Sequence, residues 1–489
     1  MLALYADVSA LKAADHLLGW DQQVLMPRGG AEARAAQSFR IRSMIHERLT
    51  SDEMLRTVEE AGKEEDPESD EGRAVAALRR DLDIETKLPL QLVERKAKAS
   101  SESYEVWKVA KPANDFAAVV PYYEELFEIA KETAEALGYE DHPYDALLGL
   151  YELGAAHADA ARMFETIKAP IVELVKQIQS SSRPVDDSIL HADWDKERLR
   201  QFAQHATACI GFDYDNGMLN IAPSAFCTNL GSSDVRMTTR ASDHIKGIVS
   251  SSLHEMGHGL YEQRMPKEWD ANPLGGGISL AVHESQSRLW ENVIGRSRGF
   301  WHRFLPDLQL AFPQLSGLTD EEMYRAINKV APNFIRVGAD ELTYNLHILV
   351  RFELEVEIVT GQLQVKDLPE AWNAKYESYL GIVPPTDTLG VLQDVHWSRG
   401  SVGYFSTYSM GNLIGLQIWE RLNQDIPNTE DLMADGQFAP ILDWLTEKIY
   451  RQGKRYTPKE LVARVTGRTM EAEPWLRYAQ AKYSDIYGL

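Results

Sequence analysis

Hydrophobic residues recur three and four positions apart along nearly the whole chain, which is the period of an amphipathic α-helix. Segments 117–138, 160–178 and 345–361 show this spacing most clearly. No βαβ alternation, internal repeat or Pro-rich or Gly/Ser-rich linker divides the sequence. A chain of 489 residues can hold two or three average domains or one large one. The pattern therefore predicts one large, all-α (mainly helical) domain over residues 1–489.

One stretch, CTNLGSSDVRMTTRAS at 227–242, departs from the helical period. NLGSSD is rich in turn-forming residues, and DVRMTTR has the β-branched and alternating character of a strand. These features predict a small β-hairpin just before the helical segment 245–265. A strand in this place could form one edge of a cleft and pair with an extended peptide.

The segment 245–265, IKGIVSSSLHEMGHGLYEQRM, contains two histidines four positions apart. On a helix His254 and His258 lie one turn apart on the same face, so both imidazoles can reach one metal ion. Glu255 lies one position round the helix and is free to act as general base toward a water that the ion activates. HEMGH therefore predicts a metal site with its own base.

A chance HExxH match on an ordinary helix is the alternative interpretation of these residues. Two glycines, Gly257 and Gly259, interrupt the same helical segment. Glycine inside a helix lowers its stability, and its presence here indicates close packing or a nearby ligand. This context favours the metal site.

A catalytic zinc ion usually has three protein ligands and one open position. Residues 275–295 predict a second helix, and Glu284 on it is the best candidate for the third ligand. His283 competes with it, but adjacent residues of a helix project about 100° apart, so we expect only one of the two to bind the ion. His283 is then expected to orient a ligand or face the substrate, unless it is an ordinary core histidine.

Composition narrows the classes of partner. The net charge of −23 argues against nucleic acid or an anionic membrane as a partner. The sequence has no apolar run of about 18 residues and no signal-peptide pattern at its start, so we expect a cytoplasmic protein.

Its two cysteines, Cys209 and Cys227, form neither a disulfide framework nor a CxxC pair, and we expect both to be buried as small apolar residues.

Four motifs occur in a recognisable order: HEMGH (254–258), HESQ (283–286), IRVGAD (335–340) and GVLQDVHW (390–397). With them the whole chain resembles the carboxypeptidase Taq family of thermostable metallocarboxypeptidases. The resemblance implies two helical lobes around a deep groove, similar to angiotensin-converting enzyme and neurolysin, with a small sheet beside the active site. It also implies a homodimer.

The resemblance implies an activity as well: the removal of C-terminal residues from peptide substrates, with broad preference and poor action at proline. One divalent metal ion per chain is implied, Zn²⁺ or in some members Co²⁺. His254 and His258 match the family's histidine ligands, Glu255 its general base and Glu284 its third ligand, in agreement with the interpretation of the residues themselves.

Three further roles follow from the resemblance. Arg336 in IRVGAD matches an arginine that binds the terminal carboxylate of the substrate through bidentate hydrogen bonds. The alternative for Arg336 is a salt bridge with Asp340, one turn on. His396 and Tyr404 are expected to donate hydrogen bonds to the oxyanion of the tetrahedral intermediate.

Tyr408 is an alternative to Tyr404 as oxyanion donor, and it is also a candidate for substrate binding. The other possibility for both tyrosines is that they belong to the core. Gln393 and Asp394 are expected to orient groups around the metal.

Two details concern the predicted hairpin. Asp234, Arg236 and Thr238 fit the family pattern DxRxT, and Arg236 either lines the groove or forms an ion pair that supports the fold. Family members usually carry His-Pro-Phe shortly before DxRxT, but this chain has Ser224-Ala225-Phe226. The difference removes any substrate contact of that histidine and leaves the predicted ligands and base unchanged.

Two other functions compete with a metallocarboxypeptidase. An endo-oligopeptidase or dipeptidase on the same fold would share the metal site but would not need Arg336 to bind a carboxylate. A metal-binding or scaffold protein without catalysis would be expected to have lost the base, yet Glu255 is present.

Overall fold

The computed structural model of the chain describes residues 1–240, 242 and 244–489. α-Helices dominate, which confirms the predicted mainly helical class. In chain order the α-helices are α1 (Leu2–Val24), α2 (Ala31–Leu49), α3 (Asp52–Glu64), α4 (Asp70–Lys87), α5 (Leu90–Ala113), α6 (Val120–Leu137), α7 (Pro143–Gly149), α8 (His157–Gln179), α9 (Lys196–Ile210), α10 (Ile245–Gln263), α11 (Leu280–Arg288), α12 (Arg298–Ala311), α13 (Asp320–Ile327), α14 (Tyr344–Val359), α15 (Leu368–Leu380), α16 (Ser406–Asp425), α17 (Thr429–Ala434), α18 (Ala439–Lys448), α19 (Pro458–Thr466) and α20 (Glu473–Tyr487).

The β-structure is a three-stranded sheet of β1 (Gly217–Ala222), β2 (Phe226–Asn229) and β3 (Val235–Arg240), in the order β1-β3-β2. β2 and β3 pair antiparallel, which confirms the predicted hairpin; Ala241, in its predicted range, lies outside the described residues. β1 pairs parallel to β3 and was not predicted. Because β3 is paired on both sides, it cannot accept an extended peptide, and β1 and β2 are the outer strands of this sheet in the described part of the chain.

Most buried hydrophobic residues of the described chain belong to one cluster that extends from Ala74 to Tyr487. A smaller cluster joins α1 and α2 to α3 and α4 through residues such as Val8, Met54 and Leu78. The prediction of one domain over residues 1–489 stays a prediction, and so does the likeness to angiotensin-converting enzyme and neurolysin.

Helix α11 is fixed at its beginning by hydrogen bonds. The hydroxyl of Ser279 accepts from the backbone N–H of Val282, as the N-cap residue of a helix does. The buried carboxylate of Glu152 accepts from Ser279 Oγ at 3.0 Å and from the backbone N–H of Ala281 at 3.0 Å. These bonds satisfy donors that the first turn of a helix leaves free, so they set the position of α11.

Glycines let α11 pack closely against its two neighbours. A Cβ atom at Gly257 of α10 would lie 2.6 Å from the carbonyl oxygen of Gln286 and 2.6 Å from Cα of Ser287. A Cβ atom at Gly411 of α16 would lie 2.8 Å from Cβ of Glu284. The close packing expected from the glycines of segment 245–265 is therefore present, and it places Glu284 next to α10.

Two further observations complete the comparison with the sequence. Among the helices of the described residues, none combines the length and the apolar character needed to span a bilayer.

Cys209 is exposed and Cys227 is partly buried, so the expectation that both cysteines are buried was wrong for Cys209. Cys209 lies on a solvent-facing position of α9, where only one face contributes to the core.

The substitution Gly257→Ala is expected to lower the free energy of unfolding by about 1–3 kcal/mol, because the added Cβ must displace the backbone of α11. Gly19→Ala in α1 is the matched control, since a Cβ there meets nothing within 4 Å. It should stabilise the protein by about 0.5–1 kcal/mol. Denaturant titration measures both, and equal stability of the two variants would contradict the packing argument.

Candidate metal centre

Three side chains from two helices converge at one point. His254 and His258 project from α10, and Glu284 projects from α11. Oε2 of Glu284 lies 3.5 Å from Nε2 of His254 and 3.5 Å from Nε2 of His258. One ligand atom from each of the three residues lies within 4.8 Å of the other two. The structure thus brings together the three residues that the sequence predicts as metal ligands.

The other nitrogen of each imidazole is held by a hydrogen bond. Nδ1 of His254 donates to Oε2 of Glu291 at 2.9 Å. Nδ1 of His258 lies 2.5 Å from Nδ1 of His283, whose Nε2 lies 2.7 Å from Oε1 of Glu262. If Glu262 accepts from Nε2 of His283, then Nδ1 of His283 accepts from His258. The Nε2 atoms of His254 and His258 are then free to bind an ion. Carboxylates orient the histidine ligands of many metal sites in the same way.

These contacts bear on the two roles that the sequence left open for His283, orienting a ligand or facing the substrate. Both of its ring nitrogens are engaged, one by His258 and the other by Glu262. The neighbouring residue Glu284 points toward the ligand pair instead, as the 100° step between adjacent helical residues requires. The contacts favour the ligand-orienting role, and substrate binding by His283 stays a prediction.

Glu284 is held in its charged form. Oε1 accepts from Nε of Arg288 at 2.7 Å, and Oε2 accepts from Ser287 Oγ at 3.0 Å. Burial alone would raise the pKa of Glu284, but Arg288 and the two imidazoles outweigh it and hold that pKa well below its usual value. Burial also lowers the pKa of His258 to about 4, which leaves this imidazole neutral. A charged carboxylate and a neutral imidazole are the forms that bind metal.

The donor set fits a divalent ion. Two imidazole nitrogens and one carboxylate oxygen are a common protein ligand set for catalytic zinc. Ligand atoms about 2.1 Å from a tetrahedral ion lie about 3.4 Å from one another, close to the 3.5 Å that separates Glu284 from each imidazole. With three protein ligands, a fourth position stays open for a reactant.

Glu255 lies beside this cluster on α10 and is buried, with an exposed fraction of 5%. Burial raises the pKa of Glu255 to about 7, and the nearby Glu284 and Glu291 act in the same direction, while His254 acts against them. Glu255 is not a member of the group formed by His254, His258 and Glu284. It is placed to exchange a proton with a group bound there.

A cavity of about 610 Å³ opens onto the cluster. Its wall includes His254, Glu255 and Glu284. Tyr344, Tyr408 and Arg336 also line it, among other described residues. The cavity is large enough to hold several residues of a peptide beside the candidate metal centre.

Arg336 is buried and its guanidinium is already engaged within the protein. Nε and Nη2 donate to the carboxylate of Asp394, and Nη1 donates to the hydroxyl of Tyr344 at 2.9 Å. Arg351 donates to the same carboxylate at 2.7 Å. The alternative salt bridge with Asp340 is wrong, because Asp340 accepts from the backbone of residues 331 and 343.

The aromatic residues of the predicted oxyanion site lie close together. The ring centres of His396 and Tyr404 are 5.2 Å apart, and Tyr408 Oη lies 3.5 Å from Nε2 of His396. Within the described chain, the cavity lining includes Tyr408 but neither His396 nor Tyr404. Tyr404 packs edge-on against Tyr151. The geometry therefore favours Tyr408 over Tyr404 as the tyrosine that reaches a substrate.

Gln393 and Asp394 act on the segment around Arg336, and not on the metal ligands as the sequence analysis expected. Gln393 Oε1 accepts from the backbone N–H of Arg336 at 2.8 Å, and its Nε2 donates to the carbonyl of Phe334 at 2.9 Å. Asp394 binds the guanidinium of Arg336. Together they fix the backbone and the side chain of this arginine.

The hairpin residues take the structural roles that the sequence left open. Arg236 donates to Asp234 at 2.7 Å and stacks over the ring of Trp20, so it forms the ion pair that supports the fold. Ser224 Oγ donates to the amide oxygen of Gln23 at 3.1 Å. Ala225 stands at the position of the proline in the pattern His-Pro-Phe. It lines the cavity and presents a small apolar side chain there.

Three charged residues of the centre were missed by the sequence analysis: Glu262, Arg288 and Glu291. The spacing of each residue from a predicted site residue could have identified it. Glu262 follows His258 by four positions, and Arg288 and Glu291 follow Glu284 by four and seven, which places each pair on one helix face. Glu291 lies on a π-helical continuation of α11, Leu289–Ile294, which the periodicity alone does not reveal.

Comparison with known proteins agrees with this geometry. Residues 1–483 match the family model described as carboxypeptidase Taq (M32) metallopeptidase. The chain is 39% identical to thermostable carboxypeptidase 1 of Thermus thermophilus, over 100% of this chain and 98% of the relative, and 36% identical to carboxypeptidase 1 of Bacillus subtilis, over 99% and 97%. It superposes on the crystal structure of an M32 carboxypeptidase from Deinococcus radiodurans with a TM-score of 0.97, at 37% identity over 100% and 99% of the two chains.

The substitution Glu291→Gln is expected to weaken the binding of a divalent ion by about 10–100-fold, because it removes the carboxylate that orients His254. Titration calorimetry on the metal-free protein measures the affinity directly. Glu447→Gln, at an exposed position of α18, is the control and should bind the ion as the unmodified protein does. Equal affinities of the two variants would show that Glu291 does not support the site.

Proposed function

This chain belongs to the carboxypeptidase Taq (M32) metallopeptidase family, and from that premise we propose that it is a zinc-dependent carboxypeptidase that releases C-terminal residues from peptides with broad specificity. The observation that carries the proposal is one cavity that holds a three-ligand cluster and an adjacent buried carboxylate. A peptide hydrolase needs both a site for an ion and a group that moves protons, and the described residues supply them in reach of one another.

His254, His258 and Glu284 would hold a divalent ion, which would supply Lewis-acid chemistry toward a carbonyl oxygen and an attacking water. Glu255 accepts a proton from the attacking water and passes it to the amine that leaves. Its buried position favours this exchange, because a carboxyl group with a pKa of about 7 can both accept and donate a proton near neutral pH. Glu255 is thus proposed as general base and then general acid.

Tyr408 and His396 are proposed to support the oxyanion that forms on the attacked carbonyl. Tyr408 lines the cavity, and its hydroxyl has its ordinary donor proton because burial keeps its pKa well above the usual value. A neutral donor held in a buried site stabilises charge that appears only in the transition state. Tyr404, the residue favoured by the resemblance, supports Tyr408 through ring contacts at 5.4 Å.

Arg336 is proposed to contribute positive charge to the cavity wall near the end of a bound peptide. Asp394 neutralises only one of the two guanidinium groups, Arg336 and Arg351, that bind it. The three residues together therefore carry a net positive charge, and a peptide carboxylate is attracted to it. His396, whose pKa burial lowers to about 3, adds no charge.

Several features of the protein in the cell belong to the same proposal. Zn²⁺ is proposed as the natural ion, with Co²⁺ able to replace it, and the enzyme is proposed to act as a cytoplasmic homodimer on peptide substrates. The ligand set of two imidazoles and one carboxylate supports the choice of ion. The net charge of −23 disfavours nucleic acid and anionic membranes as partners. The homodimer and the cytoplasmic location rest on the sequence-based expectations alone.

An endo-oligopeptidase is the second candidate function, and one observation favours it. Arg336 is bound bidentately by Asp394, so it is less available for a peptide carboxylate than the sequence implies. An endopeptidase would cut within a peptide and would not depend on a free terminal carboxylate.

A peptide and its C-terminally amidated twin separate the two functions. We expect release of the last residue from the free acid and at least about tenfold slower cleavage of the amide, since the amide cannot form charged hydrogen bonds to the cavity's cations. Mass spectrometry of the products measures both. Cleavage of the two peptides at equal rates and at internal bonds would identify an endopeptidase.

The substitution Glu255→Gln should lower kcat by about 10²–10⁴-fold, because glutamine cannot accept a proton. The ion should remain bound, since Glu255 is outside the ligand cluster. Metal content by mass spectrometry and peptide turnover are measured on the same sample. Turnover at the rate of the unmodified enzyme would contradict the role of Glu255, and loss of the ion would contradict its position outside the ligands.

A further inference from the structure

The cavity is lined by cationic side chains beyond those that contact the metal ligands. Among the described residues that line the cavity, five arginines and lysines remain when Arg288, which binds Glu284, is set aside: Arg240, Lys246, Arg296, Lys329 and Arg336. Three of them are paired within the protein. Lys329 donates to Asp187 at 2.8 Å, Arg296 donates to Glu291 at 3.0 Å, and Arg336 binds Asp394.

Lys246 differs from these three residues. Within the described part of the chain its ammonium group has neither a hydrogen bond nor an ion pair. Arg240 shares this property but is exposed to solvent, where a charge needs no partner. Lys246 is only partly exposed, and an ammonium group that is withdrawn from water without a partner costs free energy.

The acids near Lys246 are already engaged. Asp340 accepts three hydrogen bonds, from the backbone N–H groups of Thr343 and Ala331 and from the hydroxyl of Thr343. Asp187 binds Lys329, and Glu291 binds His254 and two arginines. None of these carboxylates is free to move to Lys246 without breaking other bonds, so the lysine is not reserved for an internal ion pair.

Lys246 also has a defined position relative to the metal ligands. Lys246, Ser250 and His254 follow one another at four-residue intervals on α10, so they share one helix face. All three line the cavity. The backbone positions of Lys246 and His254 are separated by about 12 Å, at 1.5 Å per helical residue.

That separation suits a carboxylate on the residue that leaves. An extended residue spans about 3.5 Å, and a charged hydrogen bond adds about 2.8 Å. These two lengths add to about 6 Å, and the side chains of Lys246 and His254 must span the rest of the 12 Å between their backbones. A peptide whose scissile carbonyl lies at the metal ligands can then place a carboxylate of its last residue between them and the ammonium group of Lys246.

We propose that Lys246 binds a carboxylate of the C-terminal residue that the enzyme releases. The carboxylate is either the terminal group that every peptide has or the side chain of a C-terminal aspartate or glutamate. The inference rests on the proposed carboxypeptidase function and adds a binding residue to it. Arg336 and Arg351 share Asp394 and so add net positive charge to the cavity wall, while Lys246 supplies an ammonium group that has no partner among the described residues.

The titration of Lys246 supports this role. Burial, with the nearby Arg296, lowers the pKa of Lys246 to about 8, while the carboxylates of Asp340, Glu291 and Asp187 act in the opposite direction. The ammonium form, which binds a carboxylate, is present below that pKa and is lost as the pH rises through it. Binding of the carboxylate should therefore weaken above about pH 8.

The test compares the variants Lys246→Met and Lys246→Arg with the unmodified enzyme on two peptides that differ only in the last residue, leucine or glutamate. Lys96→Met is the matched control, because Lys96 is also partly buried, has a pKa lowered by burial, and lies on α5 outside the cavity lining. KM and kcat are measured separately for each peptide, from pH 6 to 9. Metal content and melting temperature are checked for each variant.

Lys246→Met should raise KM by about 10–100-fold, the loss expected for one charged hydrogen bond, with kcat changed far less. A rise for both peptides assigns the terminal carboxylate, and a rise for the glutamate peptide alone assigns the side chain. Lys246→Arg should keep KM low at pH 9, where the unmodified enzyme weakens, because arginine stays charged.

The proposal is overturned if KM of Lys246→Met stays within about twofold of the unmodified enzyme for both peptides, or if Lys96→Met raises KM equally. A different failure identifies the proposed function as wrong: the unmodified, metal-loaded enzyme would release no C-terminal residue from either peptide. The two failures are distinguished by the behaviour of the unmodified enzyme alone.

Discussion

The contact between α10 and α11 is the constraint on which the candidate site depends. Gly257 has no Cβ, so the backbone of α11 at Gln286 and Ser287 can approach α10 closely enough for Glu284 to reach both imidazoles. Gly411 of α16 supports the same helix from its other side. A larger residue at either glycine position would move α11 and separate the three ligand atoms, even if every ligand were kept.

Several buried charged groups around this contact are paired with one another. Glu284 is shared between Arg288 and the imidazoles, and Glu291 joins His254 to Arg288 and Arg296. An unpaired charge in such a buried place would be costly, whereas a connected set is tolerated and holds its members in one geometry. Lys246 contrasts with these paired groups, because it is partly buried in the same cavity and has no partner among the described residues.

Local periodicity was enough to predict the helices and the metal ligands, because a four-residue step fixes which side chains share a helix face. Glu284 was predicted because one residue of an adjacent pair must point away. Contacts between residues far apart in the sequence were not predictable in this way. β1 pairs parallel to β3, and Arg336 donates hydrogen bonds to Asp394, which lies 58 positions later in the sequence. The contact of His283 with Glu262 was not predicted for the same reason, since Glu262 lies on a different helix.

The central claim is that one ion is held by His254, His258 and Glu284, with a position left open. X-ray absorption spectroscopy of the zinc-loaded protein tests it most directly. The account predicts two imidazole nitrogens and further oxygen ligands at about 2.0–2.2 Å, in a four-coordinate site without sulfur. A third imidazole, which would have to come from another histidine such as His283, or a sulfur ligand at about 2.3 Å would contradict it.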